Sequence, residues 1–125
     1  MHQSLKLLIV DDEEEFLMTM TRRMERRGHV TRTATTCAAG MEILDVWSPD
    51  AMILDVKLPD MDGIECLRSI KSRWPRLPVI LLTGHASVRA GVEGVAGGAS
   101  DYCLKPVDIE YLMEKIEIAI EEAEN

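Results

Sequence analysis

Short runs of consecutive apolar residues alternate along this chain with longer stretches in which apolar residues recur every three or four positions. Leu5 to Val10, LKLLIV, is apolar but for one lysine, the pattern of a strand covered on both faces. Glu13 to Arg27 carries Phe16, Leu17, Met20 and Met24 on one side and stops at Gly28, which predicts an amphipathic helix. HVTRTA alternates in polarity and predicts an edge strand. Thr36 stands where it can cap a second helix bearing Met41 and Leu44, which closes before Ser48-Pro49. AMIL, from Ala51, is a third strand, and Asp62-Gly63 opens a helix through Ile64, Leu67 and Ile70 that ends near Trp74-Pro75. Pro78 to Leu82 is a fourth strand. Ala86 to Ala96 predicts a helix of low propensity, rich in Gly and Val and ended by Gly97-Gly98. SDYCL is a fifth strand, and Asp108 caps a last helix with the core stripe Ile109, Leu112, Met113, Ile116 and Ile120.

Five strand–helix units with short connections define an α/β chain with a parallel sheet covered on both faces. Right-handed crossovers make it doubly wound. In such sheets ligands bind outside the carboxyl ends of the strands, near the point where strand order reverses.

The chain has 125 residues and no linker, repeat or low-complexity segment, so residues 1–125 are expected to form one domain. At 46% hydrophobic but 4% aromatic, its core must come from Leu, Ile, Val, Ala and Met. No apolar run is long enough for a bilayer, and the N-terminal stretch turns acidic without a small-residue cleavage site. The expectation is a cytoplasmic protein with no membrane partner. A net charge of −8 argues against direct nucleic-acid binding. The cluster Arg22, Arg23, Arg26, Arg27 is interrupted by Glu25 and reads as a solvated helix face. Cys37, Cys66 and Cys103 are odd in number, far apart and in no C-x-x-C pair, so buried, reduced thiols are expected. His2 and His29 are expected at the surface.

Polar residues gather where the strands end. The first strand ends in Asp11-Asp12, the third in Asp55, the fourth in Thr83-Gly84 and the fifth in Lys105-Pro106. Two like charges 4 Å apart repel by about 4 kcal/mol at an effective dielectric near 20, so three carboxylates need cations or a proton. Lys105 supplies one positive charge. An all-oxygen set favours Mg²⁺ for the rest, with Mn²⁺ also compatible. A carboxylate beside such an ion and a lysine can attack phosphorus, while Thr83 and the Gly84 N–H can receive the phosphoryl oxygens.

The segments LIVDDEEEF, ILDVKLPDMDGIE, VILLTGHAS and GASDYCLKPVD occur in this order along essentially the whole chain. In them the sequence resembles the receiver domain of two-component response regulators. The resemblance implies a flavodoxin-like three-layer sandwich with a five-stranded sheet of order 2-1-3-4-5. It implies that Asp55 is the phosphoacceptor, that Asp12 binds Mg²⁺ directly while Asp11 helps position it, and that the Lys57 carbonyl is a further ligand. It makes Lys105 the partner of the phosphoryl group, Thr83 the switch hydroxyl and Tyr102 the rotating aromatic. The Lys105–Pro106 peptide should be cis, and the side chains of Lys57 and His85 should tune the phosphoryl lifetime.

The implied partners are a sensor histidine kinase or phosphotransfer protein and an unknown output domain or protein. The implied activity is phosphoacceptance with slow autodephosphorylation, not catalysis of an external reaction. No output domain is expected within these residues, which fit either a stand-alone receiver or a receiver belonging to a longer regulator, and TGHAS is reminiscent of regulators with an ATPase and DNA-binding output. The readout surface would be the fourth helix, fifth strand and fifth helix. Tyr111 and Ile118, seven residues apart and off the core stripe, are expected to form a strip for a partner or a phosphorylation-dependent dimer. An aspartate-nucleophile phosphatase of the dehalogenase type fits less well, because its acid/base aspartate should stand two residues after the first-strand nucleophile and here that position is Glu13. A receiver-like binding module that is never phosphorylated also fits less well, because the acidic and lysine set is whole.

Overall fold

The apolar runs form five parallel strands, and the amphipathic stretches form the helices that cover them. In chain order the elements are β1 (Lys6–Val10), α1 (Glu14–Arg26), β2 (Val30–Ala34), α2 (Cys37–Val46), β3 (Ala51–Asp55), α3 (Gly63–Arg73), β4 (Val79–Thr83), α4 (Val88–Ala96), β5 (Asp101–Leu104) and α5 (Ile109–Ala123). This computed structural model describes residues 4–84 and 88–124, and for 88–91 the backbone alone. The strand order is β2-β1-β3-β4-β5, all parallel, so order reverses between β1 and β3. The result is the three-layer doubly wound sandwich expected from the pattern.

Because strand side chains alternate between faces, one sheet makes two cores. Leu7, Ile9, Ile53, Ile80, Leu82 and Cys103 meet α1 and α5. Leu8, Val10, Met52, Leu54, Val79 and Leu81 meet α2 and α3. β3 and β4 are buried throughout, whereas β2 is the partly exposed edge its alternating sequence predicts. The helix starts follow the capping residues: Thr36 Oγ1 accepts from the Ala39 N–H, Asp62 from Ile64 and Asp108 from Glu110. Gly28, with φ +84°, takes the left-handed turn that ends the first helical unit. The four arginines of the basic cluster are exposed, and Arg27 pairs with Glu110 of α5.

Two expectations fail. Cys37 and Cys66 are not separate thiols: the structure joins them in a disulfide between α2 and α3, with Cα atoms 6.0 Å apart. They stand 29 residues apart, and only the packing of both helices on one face of the sheet brings them together. Cys103 is a buried free thiol on the opposite face, as expected. His29 is buried rather than at the surface. The Gly28 turn folds its ring inward, where Nδ1 accepts the Leu5 N–H at 3.1 Å and ties the start of β1 to that of β2. His2 and His85 lie outside the described residues.

Candidate functional site

The parallel sheet brings the ends of β1, β3, β4 and β5 to one rim. There β1 delivers Asp11 and Asp12, β3 delivers Asp55, β4 delivers Thr83 and Gly84, and the chain after β5 delivers Lys105. Asp11, Asp55 and Thr83 are buried polar residues, an arrangement that needs compensation from their surroundings.

Lys105 supplies much of it. Its Nζ lies 2.6 Å from Asp11 Oδ2, 3.1 Å from Glu13 Oε1 and 3.4 Å from Asp55 Oδ2. It also sits 4.5 Å from the centre of the Phe16 ring, a cation–π distance. Burial works against its charge, but the bonds to Asp11 and Glu13 and the charge of Asp55 hold the ammonium well above the ordinary lysine range. The Lys105–Pro106 peptide is cis, and the Lys105 N–H donates to the Thr83 carbonyl at 2.8 Å, which fixes the turn leaving β5 against the end of β4.

Asp55 is placed differently from Asp11. Burial, and then the charge of Asp11, push its carboxyl above the ordinary carboxylate range, while Lys105 and the Lys57 N–H partly offset them. That N–H donates to Asp55 Oδ1 at 3.3 Å. Asp11 has both oxygens engaged, Oδ1 by the Glu13 N–H at 2.8 Å and Oδ2 by Lys105. Asp12 is exposed beside it. Ligand oxygens of Asp11, Asp12, Glu13 and Asp55 all lie within 4.8 Å of one another. This oxygen-only donor set suits a hard divalent cation.

Backbone geometry holds Asp55 in place. Val56 N–H donates to Leu82 O at 2.9 Å, and Gly63 N–H donates to Val56 O at 2.7 Å. A Cβ at Gly63 would lie 2.5 Å from Asp55 O and from Val56 Cα, so only glycine lets α3 start this close to the strand end. Lys57 and Asp62 form an isolated bridge that closes the intervening loop. Within that loop Asp60 accepts from the N–H groups of Cys37 and Ala38, both at 3.0 Å, and so caps α2.

The rim therefore gathers Asp11, Asp12, Asp55, Lys57, Thr83, Gly84 and Lys105. Tyr102 lies on the other face of β5, half-buried against the core that also holds Leu81 and Ala99. Glu13, Phe16 and Asp60 were missed as contributors. Glu13 and Phe16 are three residues apart at the start of α1 and so share a face, which is the signal that could have paired them around Lys105. Asp60 reads in the sequence only as a turn residue.

A family model described as the response regulator receiver domain matches residues 7–117. The chain belongs to this family. It is 37% identical over 102 residues to the photosynthetic apparatus regulatory protein RegA of Rhodobacter capsulatus, covering 82% of this chain and 55% of that protein. It is 36% identical over 112 residues to the DNA-binding transcriptional regulator NtrC of Proteus hauseri, covering 90% of this chain and 24% of that protein. The chain thus spans about half of the one and a quarter of the other. Among solved structures, a CheY-like receiver domain protein from Methanospirillum hungatei JF-1 superposes with a TM-score of 0.89 at 32% identity, covering 98% of each chain. Among the described residues no helix is long and apolar enough to cross a membrane.

Proposed function

We propose that Asp55 accepts a phosphoryl group from a phosphohistidine of a sensor histidine kinase or phosphotransfer protein, in a Mg²⁺-dependent reaction in the cytoplasm. The observation that carries this reading is the buried Asp55 carboxylate facing both Lys105 and an acidic oxygen cluster at one strand rim. Asp12, Asp55 and the Lys57 carbonyl would hold the ion, with Asp11 positioning it. When bound, the ion supplies the positive charge that neutralises the carboxylates and the phosphoryl oxygens.

An Asp55 carboxylate oxygen forms a bond to phosphorus as the donor's N–P bond breaks. The electron pair stays on the imidazole nitrogen, which then takes a proton. Lys105 would turn from Asp55 toward the phosphoryl oxygens while keeping Asp11. Thr83 and the Gly84 N–H would receive the same oxygens from the other side. Hydrolysis by water would return the carboxylate slowly, with Lys57 and His85 setting the lifetime, and the chain would catalyse no other reaction.

Carrying a population from 1:99 to 99:1 takes about 5.5 kcal/mol, and one charge-assisted hydrogen bond supplies roughly 1.5–3 kcal/mol. Thr83, Gly84 and Lys105 must therefore act together. Movement of Thr83 toward the phosphoryl group would free space for Tyr102 and shift the surface of α4, β5 and α5. That surface would control an output domain or partner protein, with exposed Tyr111 and Ile118 of α5 available to a partner or a second copy.

The test is incubation with Mg²⁺ and acetyl phosphate followed by intact mass. One phosphoryl group on the unmodified chain, and none on Asp55→Asn or in the presence of a chelator, is expected. Equal modification of Asp55→Asn would overturn the assignment.

A further inference from the structure

We propose that Cys37 and Cys66 form a reversible dithiol–disulfide clamp whose oxidation state sets how firmly the loop between Lys57 and Asp62 is held. Four contacts make the connection. Cys37 is the first residue of α2, and its N–H and that of Ala38 are capped by the Asp60 carboxylate from within the loop. Cys66 is in the first turn of α3, where its N–H donates to the Asp62 carbonyl at the other end of the loop. The disulfide closes this circuit by joining Cys37 to Cys66. Burial disfavours the Asp60 charge, yet the N–H groups of Cys37 and Ala38 hold its carboxyl below the ordinary range, so the cap is ionic.

The pairing is specific. Cys103 lies under the opposite face, with the sheet between it and the other two sulfurs, so no rearranged disulfide can form without unfolding. Both bonded cysteines are fully buried. Reaction therefore requires the start of α2 to lift, and small reagents are favoured over protein oxidants. In the cytoplasm proposed above, a reducing compartment, a disulfide is characteristically transient and regulatory, which fits a clamp that opens and closes.

The oxidant is a low-molecular-weight disulfide. One cysteine thiolate attacks it, forming a mixed disulfide as the reagent's S–S bond breaks and one small thiolate leaves. The second cysteine thiolate then attacks the protein sulfur of the mixed disulfide and expels the second small thiolate. The two thiol protons finish on the two released thiolates, and the protein loses two electrons to the reagent. A small dithiol reverses both steps.

The loop that Asp60 and Asp62 anchor also presents the Lys57 N–H to Asp55, so the clamp bears on the acceptor; this last consequence rests on the proposed phosphorylation. The test uses the full chain equilibrated with hydroxyethyl disulfide or with dithiothreitol. Alkylation after denaturation should label only Cys103 in the first state and all three cysteines in the second. Hydrogen exchange at Cys37, Ala38, Lys57, Asp60 and Met61 should be about tenfold faster in the reduced state, equivalent to about 1.4 kcal/mol. Phosphorylation by acetyl phosphate should slow in the same state.

Cys37→Ser with Cys66→Ser should reproduce the reduced exchange pattern under both conditions, and Cys103→Ser should leave the difference intact. Should the double variant not fold, the two states of the unmodified chain still decide the matter. Three labelled cysteines after oxidation, pairing with Cys103, or equal exchange in the two states would overturn the clamp. Absence of phosphorylation in both states would overturn the reading of Asp55, while an exchange difference in the same samples would still support the clamp.

Discussion

The two faces of the sheet are built by different means. Against α1 and α5 the sheet meets side chains such as Met20, Met24, Leu112, Met113 and Ile116. Neither helix contains a glycine. On the opposite face each helix approaches the sheet through one. A Cβ at Gly40 of α2 would lie 3.0 Å from Val10 Cγ2, at Gly63 of α3 it would meet the backbone of Asp55, and at Gly94 of α4 it would lie 1.9 Å from Leu81 Cδ1. The disulfide adds a covalent link on this same face. The site divides along the same line. Asp11 and Asp55 continue the strand parity that faces α1 and α5, where Lys105 and Phe16 stand, whereas Thr83 and Tyr102 continue the other. The charged machinery therefore rests on an adaptable core, and the strand backbone that carries it is positioned from the close-packed side.

The largest effect should come from Gly63→Ala. Its Cβ would press on backbone atoms that cannot rotate away, so the start of α3 must retreat from Asp55. A loss of about 3 kcal/mol is expected, at the upper end of ordinary overpacking, measured as the shift of a urea midpoint at unchanged slope. A loss under about 0.5 kcal/mol, the level of an indifferent surface substitution, would break the distinction between the faces.

Lys105→Met tests the charged side. It leaves buried Asp11 and Asp55 without their shared cation. Removing one partner of a buried pair costs about 3–5 kcal/mol, and the partial exposure of this rim reduces the expected loss to about 2 kcal/mol. The pH dependence has a defined sign. Because the folded domain holds the ammonium above the ordinary lysine range, its contribution is complete below about pH 10.4 and is lost as pH rises through the folded value. The gap between wild type and Lys105→Met, measured in chelator, should therefore close in strong base. A gap that widens there would mean that Lys105 is not paired as described.

Asp55→Asn should move stability the other way. Burial and Asp11 raise the Asp55 carboxyl, so the folded domain holds this proton more tightly than the unfolded chain. Stability then falls as pH rises from the unfolded value near about 3.9 through the raised folded value. At neutral pH and without divalent ions the amide should raise the thermal midpoint, by about 4 °C if the gain is about 1 kcal/mol. A lower midpoint would show that Lys105 more than compensates the buried charge.

How much of this was legible in the sequence follows from the range of the interactions. Periodicity read the five strands and five helices because each is local, and Thr36, Asp62 and Asp108 announced their helices because a cap acts within three residues. Asp11, Asp12, Asp55, Thr83 and Lys105 were legible as a group because a parallel sheet sends every strand end to one rim. The Cys37–Cys66 bond was not legible, since it depends on α2 and α3 lying side by side rather than on any spacing between the two cysteines. Buried His29 was missed for a related reason: its partner is the backbone of Leu5, on the neighbouring strand's lead-in. Glu13 was hidden by its setting, one carboxylate within the acidic run from Asp11 to Glu15.

The smallest effect should be Met20→Leu, on the face without helix glycines. Met20 is buried in the α1 core, yet its surroundings are other long side chains, and leucine nearly conserves its volume. A cost below about 1.5 kcal/mol is typical of such exchanges, and here below about 1 kcal/mol is expected because Phe16 and Leu5 pack at the partly buried margin of this cluster and can adjust. The measurement is the same urea midpoint used for Gly63→Ala. If Met20→Leu cost as much as Gly63→Ala, both faces would be equally intolerant, and the assignment of backbone positioning to the α2–α4 side would have no basis. If it is nearly neutral while Gly63→Ala is severe, the site's tolerance to change follows which face of the sheet is altered.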